Sequence, residues 1–386
     1  MMKMVLRLAA KAAGLTSPNP MVGAVLVKGG KIIAEDYHRK PGTPHAEALV
    51  IQKAREKSKG ATLYVNLEPC CHTDKRTPPC TKAIINAGIK KVVIGMKDPN
   101  PKVSGKGIEE LKKAGIEIVS GILEEDAKKL NEAYIKYITT GKPFVTLKVA
   151  MTLDGKIATP EGESKWITGE EARREVHKLR GSVDAIMTAI GTVKADDPQL
   201  TARGRGFILR SATENGVKGS RGQGAKTPKR IVIDPNLEIP MDARILQTPP
   251  ETIIVTKKSE ARSQSPSATR RGGKAEEKAK TLSDKSIKII EYDNEKLDLK
   301  WLMEKLGKME ITSLLIEGGS SLNSHALEDG IVDKVMFFIA PRIIGGKDSF
   351  PAVGGKVFRK LSEAHKLKDI NVKRIGEDIL IEGYIR

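Results

Sequence analysis

Apolar residues recur along this chain in two rhythms that take turns. Met4, Leu8 and Ala12 fall at helical spacing over residues 2–14, where Gly14 is placed to end the run. Residues 21–27 and 31–36 read as strands flanking Gly29-Gly30, a dipeptide that supplies the positive backbone angles of a two-residue hairpin turn. A helix over 45–57, a strand over 61–66, a helix over 80–87 and a strand over 91–95 follow, and helix, strand and helix recur to about residue 140. Alternation of this kind predicts mostly parallel strands covered by helices on both faces. Thr140-Gly141-Lys142-Pro143 breaks the rhythm. Strands are then expected at 144–151, 183–189, 230–234, 251–256, 286–292, 312–316, 333–340 and 378–386, with helices near 169–180, 298–307 and 320–328. The predicted fold class is α/β, as two three-layer domains over residues 1–141 and 142–386, with no internal repeat between them.

Length agrees with that division, because 386 residues exceed the size at which one core keeps growing. No apolar run approaches the roughly 18 residues of a membrane span. Residues 1–17 are basic and amphipathic, but Pro18-Asn19-Pro20 and a strand follow at once, so a packed first helix is expected rather than a transit peptide. The formal charge of +19 raises the question of a polyanionic partner. Its distribution answers it. Residues 203–230 hold eight Lys or Arg against one Glu, and residues 257–285 hold nine against four acidic residues, so two stretches rich in Gly, Ser and Lys carry most of the excess. Both are expected to be low-complexity surface insertions. With 4% aromatic residues and none interleaved with the basic ones, a stacking platform for single strands is not indicated.

The three cysteines, Cys70, Cys71 and Cys80, lie within eleven residues, where ordinary core thiols would scatter. His45-Ala46-Glu47 precedes them. One imidazole, two thiolates and a nearby carboxylate are what a zinc ion needs to hydrolyse an amidine-like carbon: three protein ligands leave a fourth position for water and lower its pKa towards neutrality. Glu47 would move the proton, as in nucleobase deaminases, although the Cys70-to-Cys80 spacing is wider than their usual signature. His-Ala-Glu alone occurs by chance in many helices, and a disulfide is the competing use of the thiols. A large chain without a secretory segment favours reduced thiols in a cytoplasm. Cys71 could replace Cys70, though the Pro69-Cys70 step favours the latter.

A second group lies in the later half. The strand ending at Ile316 runs into Glu317-Gly318-Gly319-Ser320-Ser321 and a helix, an arrangement that offers backbone N–H groups to phosphate but also serves as plain punctuation. Lys148, Asp154, Trp166, Arg180, Asp196, Asp197, Arg203 and Glu317 sit at strand ends or in loops, where functional groups collect. Lys148, in an otherwise apolar strand, either snorkels at an edge or enters a pocket. Trp166 could equally fill a core. No G-x-G-x-x-G follows an early strand, so a doubly wound dinucleotide fold is not indicated.

These residues together resemble a known family, the bifunctional riboflavin-biosynthesis deaminase/reductases. The first half carries Thr16–Gly23 (TSPNPMVG), His45-Ala46-Glu47, Leu67–Cys70 (LEPC), Arg76–Cys80 (RTPPC) and Asp98–Pro101 (DPNP); the second carries Lys148–Lys156 (KVAMTLDGK), Gly162–Thr168 (GESKWIT), Ala195–Pro198 (ADDP), Glu317-Gly318-Gly319 and Ile339–Arg342 (IAPR). The resemblance implies a cytidine-deaminase-like N-terminal domain with Zn2+ on His45, Cys70 and Cys80 and a proton shuttle at Glu47. It implies substrate contacts at Asn19, His38, His72 and Arg76, or Lys75 beside it. The C-terminal domain is then expected to be dihydrofolate-reductase-like, with NADPH at Ala150, Trp166, Thr192, Asp196, Gly319, Ser320 and Ser321. Substrate contacts are expected at Ser164, Arg180, Leu200, Arg203 and Glu317. The implied reactions are deamination of 2,5-diamino-6-ribosylamino-4(3H)-pyrimidinone 5′-phosphate and NADPH-dependent reduction of its ribosyl chain to ribityl. Arg180 and Arg203 would clamp phosphate, and Lys148 with Glu317 would protonate the product. The partner is then a small pyrimidine ribotide phosphate, with no membrane and no nucleic acid, in a cytoplasmic homo-oligomer.

Two other functions compete. A nucleic-acid deaminase shares the zinc motif and the charge, but it does not need a reductase-like half. A closed structural zinc site would recruit His72 as a fourth ligand and leave no position for water.

Overall fold

The computed structural model describes residues 1–73, 78–202, 227–258, 269–285, 287–355 and 360–386, with the backbone alone over 269–276. It divides into two compact units: Met1–Pro143 with Gly307–Thr312, and Phe144–Leu306 with Ser313–Arg386. Among the described residues, no helix is long and apolar enough to cross a membrane.

The first unit is built on a five-stranded sheet in the order β2-β1-β3-β4-β5. Strands β1 (Gly23–Lys28) and β2 (Lys31–Tyr37) form the expected hairpin, with Gly29 and Gly30 at φ 56° and 73°, backbone angles that favour glycine. β3 (Thr62–Leu67), β4 (Lys91–Met96) and β5 (Glu117–Ser120) run parallel. Period-2 alternation sorts their side chains between two cores. Ala24, Leu26, Val92 and Ile94 pack with Ala46, Val50 and Ile84 from helices α2 (Ala46–Ala54) and α3 (Cys80–Asn86). Val25 and Val93 pack instead with Val5 and Leu8 of α1 (Met2–Ala10). Helices α4 (Lys106–Lys113), α5 (Glu124–Leu130) and α6 (Glu132–Thr140) complete the unit.

The second unit carries a nine-stranded sheet, β11-β10-β9-β8-β12-β6-β13-β16-β15. From β11 (Lys288–Tyr292) through β10 (Thr252–Lys257), β9 (Lys229–Ile233), β8 (Ala185–Ala189), β12 (Ser313–Ile316) and β6 (Phe144–Thr152) to β13 (Lys334–Ala340) all pairings are parallel. Their interiors are nearly continuous apolar runs, such as Ile253-Ile254-Val255 and Leu314-Leu315-Ile316, as strands covered on both faces require. β16 (Asp378–Ile385) and β15 (Leu367–Ile375) add an antiparallel edge, and β7 (Lys156–Ala158) pairs with β14 (Phe350–Pro351) in a small separate sheet.

Several elements depart from the sequence reading, among them β7, β14 and the short helices Ile190–Asp196 and Arg244–Gln247, none of which was expected. β15 was not expected, and its burial explains why: Ile370 and Val372 at its middle are more than half exposed, while Ile375 at its end packs against the core. The irregular insertion expected over 257–285 is corrected in its second half, where Thr269–Asp284 is helical. Leu282 is fully buried in the core beside β9 and β10, and Lys278 Nζ donates to Leu237 O at 2.7 Å. A run that looked only charged thus has an anchoring face. Residues 203–226 and 259–268 of the insertions lie outside the described residues.

Candidate active sites

In the first unit, chain geometry brings three potential ligands together from three places. His45 caps the N-terminus of α2, Cys70 follows β3, and Cys80 is the first residue of α3. The ligand atoms lie within 4.8 Å of one another, with His45 Nδ1 3.5 Å from Cys70 Sγ and 3.3 Å from Cys80 Sγ. Around a tetrahedral zinc with bonds near 2.3 Å to sulfur and 2.0 Å to nitrogen, that separation is about 3.6 Å, so the residues fit the ion. Among the described residues this cluster comprises three ligands, and His72 is not one of them. The backbone N–H of Cys80 donates to Cys70 Sγ at 3.5 Å, which favours the thiolate.

Glu47, one residue into α2, is buried, and among the described residues its Oε2 has no hydrogen-bond partner. Burial raises its pKa; the facing His45 lowers it and the Cys70 charge raises it further. Alongside, Asn19 Nδ2 lies 3.2 Å from His38 Nε2, and His38 Nδ1 lies 3.2 Å from Pro44 O. A carbonyl can only accept, so His38 carries its proton on Nδ1 and accepts from Asn19 on Nε2. Desolvation lowers the His38 pKa and keeps it neutral, with its ring 5.1 Å from that of His45. Arg76 and Lys75 lie outside the described residues.

Sequence reasoning did not single out the support beneath Cys70. The fully buried Glu68 accepts backbone N–H bonds from Asp98 at 3.1 Å, Gly105 at 2.9 Å and Ile108 at 3.1 Å, tying the loop before α4 to the Pro69-Cys70 step. Gly107 has to be glycine, because a Cβ there would sit 2.1 Å from Pro69 O. Val103 from that loop packs on Cys70 and Cys80. Asp98 receives the Tyr134 hydroxyl at 2.9 Å, and burial lifts its pKa to about 6. The adjacency of Glu68 to Cys70 was the available signal.

In the second unit, a cavity of about 1020 Å³ opens at the carboxyl ends of β6, β8 and β12. That is where ligands settle on open parallel sheets. Its volume is at the upper end of the roughly 300–1,000 Å³ usual for small-molecule sites. Lys148, Ala150, Ser164, Trp166, Thr192, Asp196, Leu200, Glu317, Gly319, Ser320 and Ser321 all line it, as does Arg180. Lys148 is therefore a pocket residue, on a central strand rather than an edge. Trp166 is 62% exposed and does not fill a core; Arg173 stacks over its ring at 4.7 Å. Ser164 Oγ donates to Asp196 Oδ1 at 3.1 Å. Gly319 begins the helix Ser320–Glu328, and a Cβ there would meet Thr192 Oγ1 at 3.7 Å, so the two expected cofactor positions are neighbours. Arg203 lies outside the described residues.

Electrostatics at this cavity centre on Glu317. Arg180 donates to both its oxygens, Nε to Oε1 at 2.6 Å and Nη2 to Oε2 at 2.9 Å, and Lys148 Nζ lies 3.4 Å from Oε2. Burial alone would raise the Glu317 pKa, but the two cations override it and hold the carboxyl down at about 2. Glu317 is thus an anchored anion, so of the pair expected to supply a proton the carboxyl does not hold one. The Arg180 fork, expected to hold phosphate, is taken up by Glu317.

Two family models match the chain: the cytidine and deoxycytidylate deaminase zinc-binding region over residues 1–96, and the RibD C-terminal domain over residues 143–381. Riboflavin biosynthesis protein RibD of Aquifex aeolicus is 44% identical over 98% of this chain and 96% of its own length. The chain belongs to the RibD family. RibD of Actinobacillus pleuropneumoniae is also 44% identical, over 99% of this chain and 93% of its own. Among solved structures, Acinetobacter baumannii RibD superposes with a TM-score of 0.83 at 35% identity, covering 100% of this chain and 98% of that one. The Thermotoga maritima diaminohydroxyphosphoribosylaminopyrimidine deaminase/5-amino-6-(5-phosphoribosylamino)uracil reductase gives 0.81 at 36% identity, covering 100% and 97%. The expected fold class is met: a zinc-binding deaminase domain precedes a RibD reductase domain, in an enzyme of riboflavin biosynthesis.

Proposed function

We propose that residues 1–141 deaminate 2,5-diamino-6-ribosylamino-4(3H)-pyrimidinone 5′-phosphate and that residues 142–386 then reduce the ribosyl chain of the product with NADPH. The observation that carries the first step is the pairing of a three-ligand cluster with an unpartnered, buried Glu47 oxygen beside it. His45, Cys70 and Cys80 would hold zinc, which would supply the Lewis acidity for attack of water on the amino-bearing ring carbon near neutral pH. Glu47 takes one proton from the attacking water and passes it to the ring nitrogen, then takes the second from the new hydroxyl and passes it to the amine, which leaves as ammonia. The neutral Asn19–His38 pair presents a fixed, uncharged wall to the pyrimidine, with His72 and Arg76 or Lys75 completing the substrate contacts.

In the second step Ala150, Trp166, Thr192, Asp196 and Gly319 to Ser321 would hold NADPH, which would supply the hydride for reduction at C1′ of the opened sugar. Lys148 protonates the reduced product, and Glu317 holds that lysine in place. Ser164, Leu200, Arg203 and the remaining donors of Arg180 hold the ribotide phosphate. Two cysteines arranged with His45 to hold a metal, a use that needs reduced thiols, support a cytoplasmic setting. The exposed Ile370 and Val372 on edge strand β15 support a homo-oligomer, and the small-molecule cavity supports a ribotide rather than nucleic acid as partner.

Purified protein given the ribotide should release ammonia with or without NADPH, and should consume NADPH only once ammonia has appeared. Loss of nicotinamide absorbance before deamination, or ammonia release that requires NADPH, would contradict the assignment of the two steps.

A further inference from the structure

One wall of the C-terminal cavity is the stretch 196–201, all of it lining the space. Its backbone follows a path that its residues disfavour: Asp197 has φ 40° and Leu200 has φ 47°, in the left-handed region where a leucine is rare. Behind this wall, on β9, lies Arg230, 1% exposed on a strand hydrogen-bonded on both sides, to β8 and β10. Nη1 donates to Gln199 O at 3.2 Å and to Thr248 Oγ1 at 3.3 Å, and Nη2 donates to the carbonyls of Thr248 and Pro250. All four acceptors are neutral. Burial is the one influence on its pKa, which falls to about 10 and leaves the group charged at neutrality.

Among the described residues no carboxylate pairs with this buried charge, which is costly, and an apolar residue of similar volume would serve a core better. What an arginine adds is reach and a rigid fork that bridges two chain segments. We propose that Arg230 is a positioning residue, whose buried fork grips Gln199 and the 248–250 turn and so holds the wall at 196–201 in its disfavoured shape for ligand binding. This rests on the reading of the cavity as the reductase site. Arg230 touches no ligand itself; it sets how often Asp196, Leu200 and Thr201 stand ready to meet one.

The test uses full-length zinc-loaded protein with Arg230→Lys, which keeps the charge and loses the fork, and Arg230→Met. Hydrogen exchange, which needs no ligand, should quicken at the amides of Asp196, Asp197, Gln199, Leu200, Thr201 and Thr248 in both variants while β8 and β10 stay protected. NADPH titrated by fluorescence should bind about tenfold more weakly to Arg230→Lys if the competent population of the wall falls to about a tenth. Adding Asp197→Gly, which relieves one of the two disfavoured angles, should reduce the further loss that Arg230→Lys causes in that background. Should Arg230→Met fail to fold, Arg230→Lys carries all three measurements. Unchanged exchange at 196–201, exchange quickened equally across the sheet, or the same loss with and without Asp197→Gly would overturn the proposal. Quickened exchange at the wall with undiminished NADPH binding would leave the positioning intact and count against the cavity as the cofactor site.

Discussion

At Glu47 the carboxyl stands next to the ligands yet outside the cluster, so its removal should separate chemistry from metal binding. Glu47→Gln is expected to retain one zinc per chain, by elemental analysis, while ammonia release slows about 10²- to 10⁴-fold, the usual worth of a positioned proton carrier. Its reduction of the already deaminated ribotide should be unchanged. Lys148→Met should lower the reduction rate over a similar range, about 10²- to 10⁴-fold, and leave ammonia release at the parental rate. The ligand trio was legible in sequence because three thiols in eleven residues and one His-Ala-Glu restrict the possibilities severely. The roles of Arg180 and Glu317 were not. They lie 137 positions apart, and nothing local reveals that the fork of one is filled by the carboxylate of the other.

Among elements, Glu68 joins β3 to the start of α4 through three backbone N–H groups. Glu68→Gln turns an NH2 group towards that donor cluster, which should loosen Val103 over the thiolates. Zinc is then expected to pass to a chromophoric chelator about tenfold faster, within the 10- to 100-fold range typical of groups that support metal ligands. Glu317 links β12 to β6 and to the helix Glu170–Ser182. Its folded pKa of about 2 lies below the ordinary 4.5, so its stabilisation is fully present above pH 4.5 and is lost as pH falls towards 2. Urea unfolding from pH 5 to pH 3 should reveal this decline, and Glu317→Gln should be less stable at pH 7, by about 3–5 kcal/mol, with a shallower acid slope. Most strands were readable from apolar runs. β15 was missed because its central apolar residues, Ile370 and Val372, face outward, and the helix Thr269–Asp284 because Gly272-Gly273 and dense charge hide the buried turn at Leu282.

For the whole molecule, the large positive charge proved a poor guide to function, since most of it belongs to insertions remote in sequence from the zinc motifs. The alternation of helix and strand was a good one, because a parallel sheet needs a crossover at every step and so writes itself along the entire chain. Everything in the first half nevertheless depends on three side chains leaving one coordination position to solvent. Replacing zinc by cobalt and recording the visible spectrum tests this most directly. Three protein ligands predict tetrahedral cobalt bands, with two thiolate charge-transfer bands in the near ultraviolet, that shift when azide is added. A spectrum of four protein ligands that azide leaves unmoved would contradict the account.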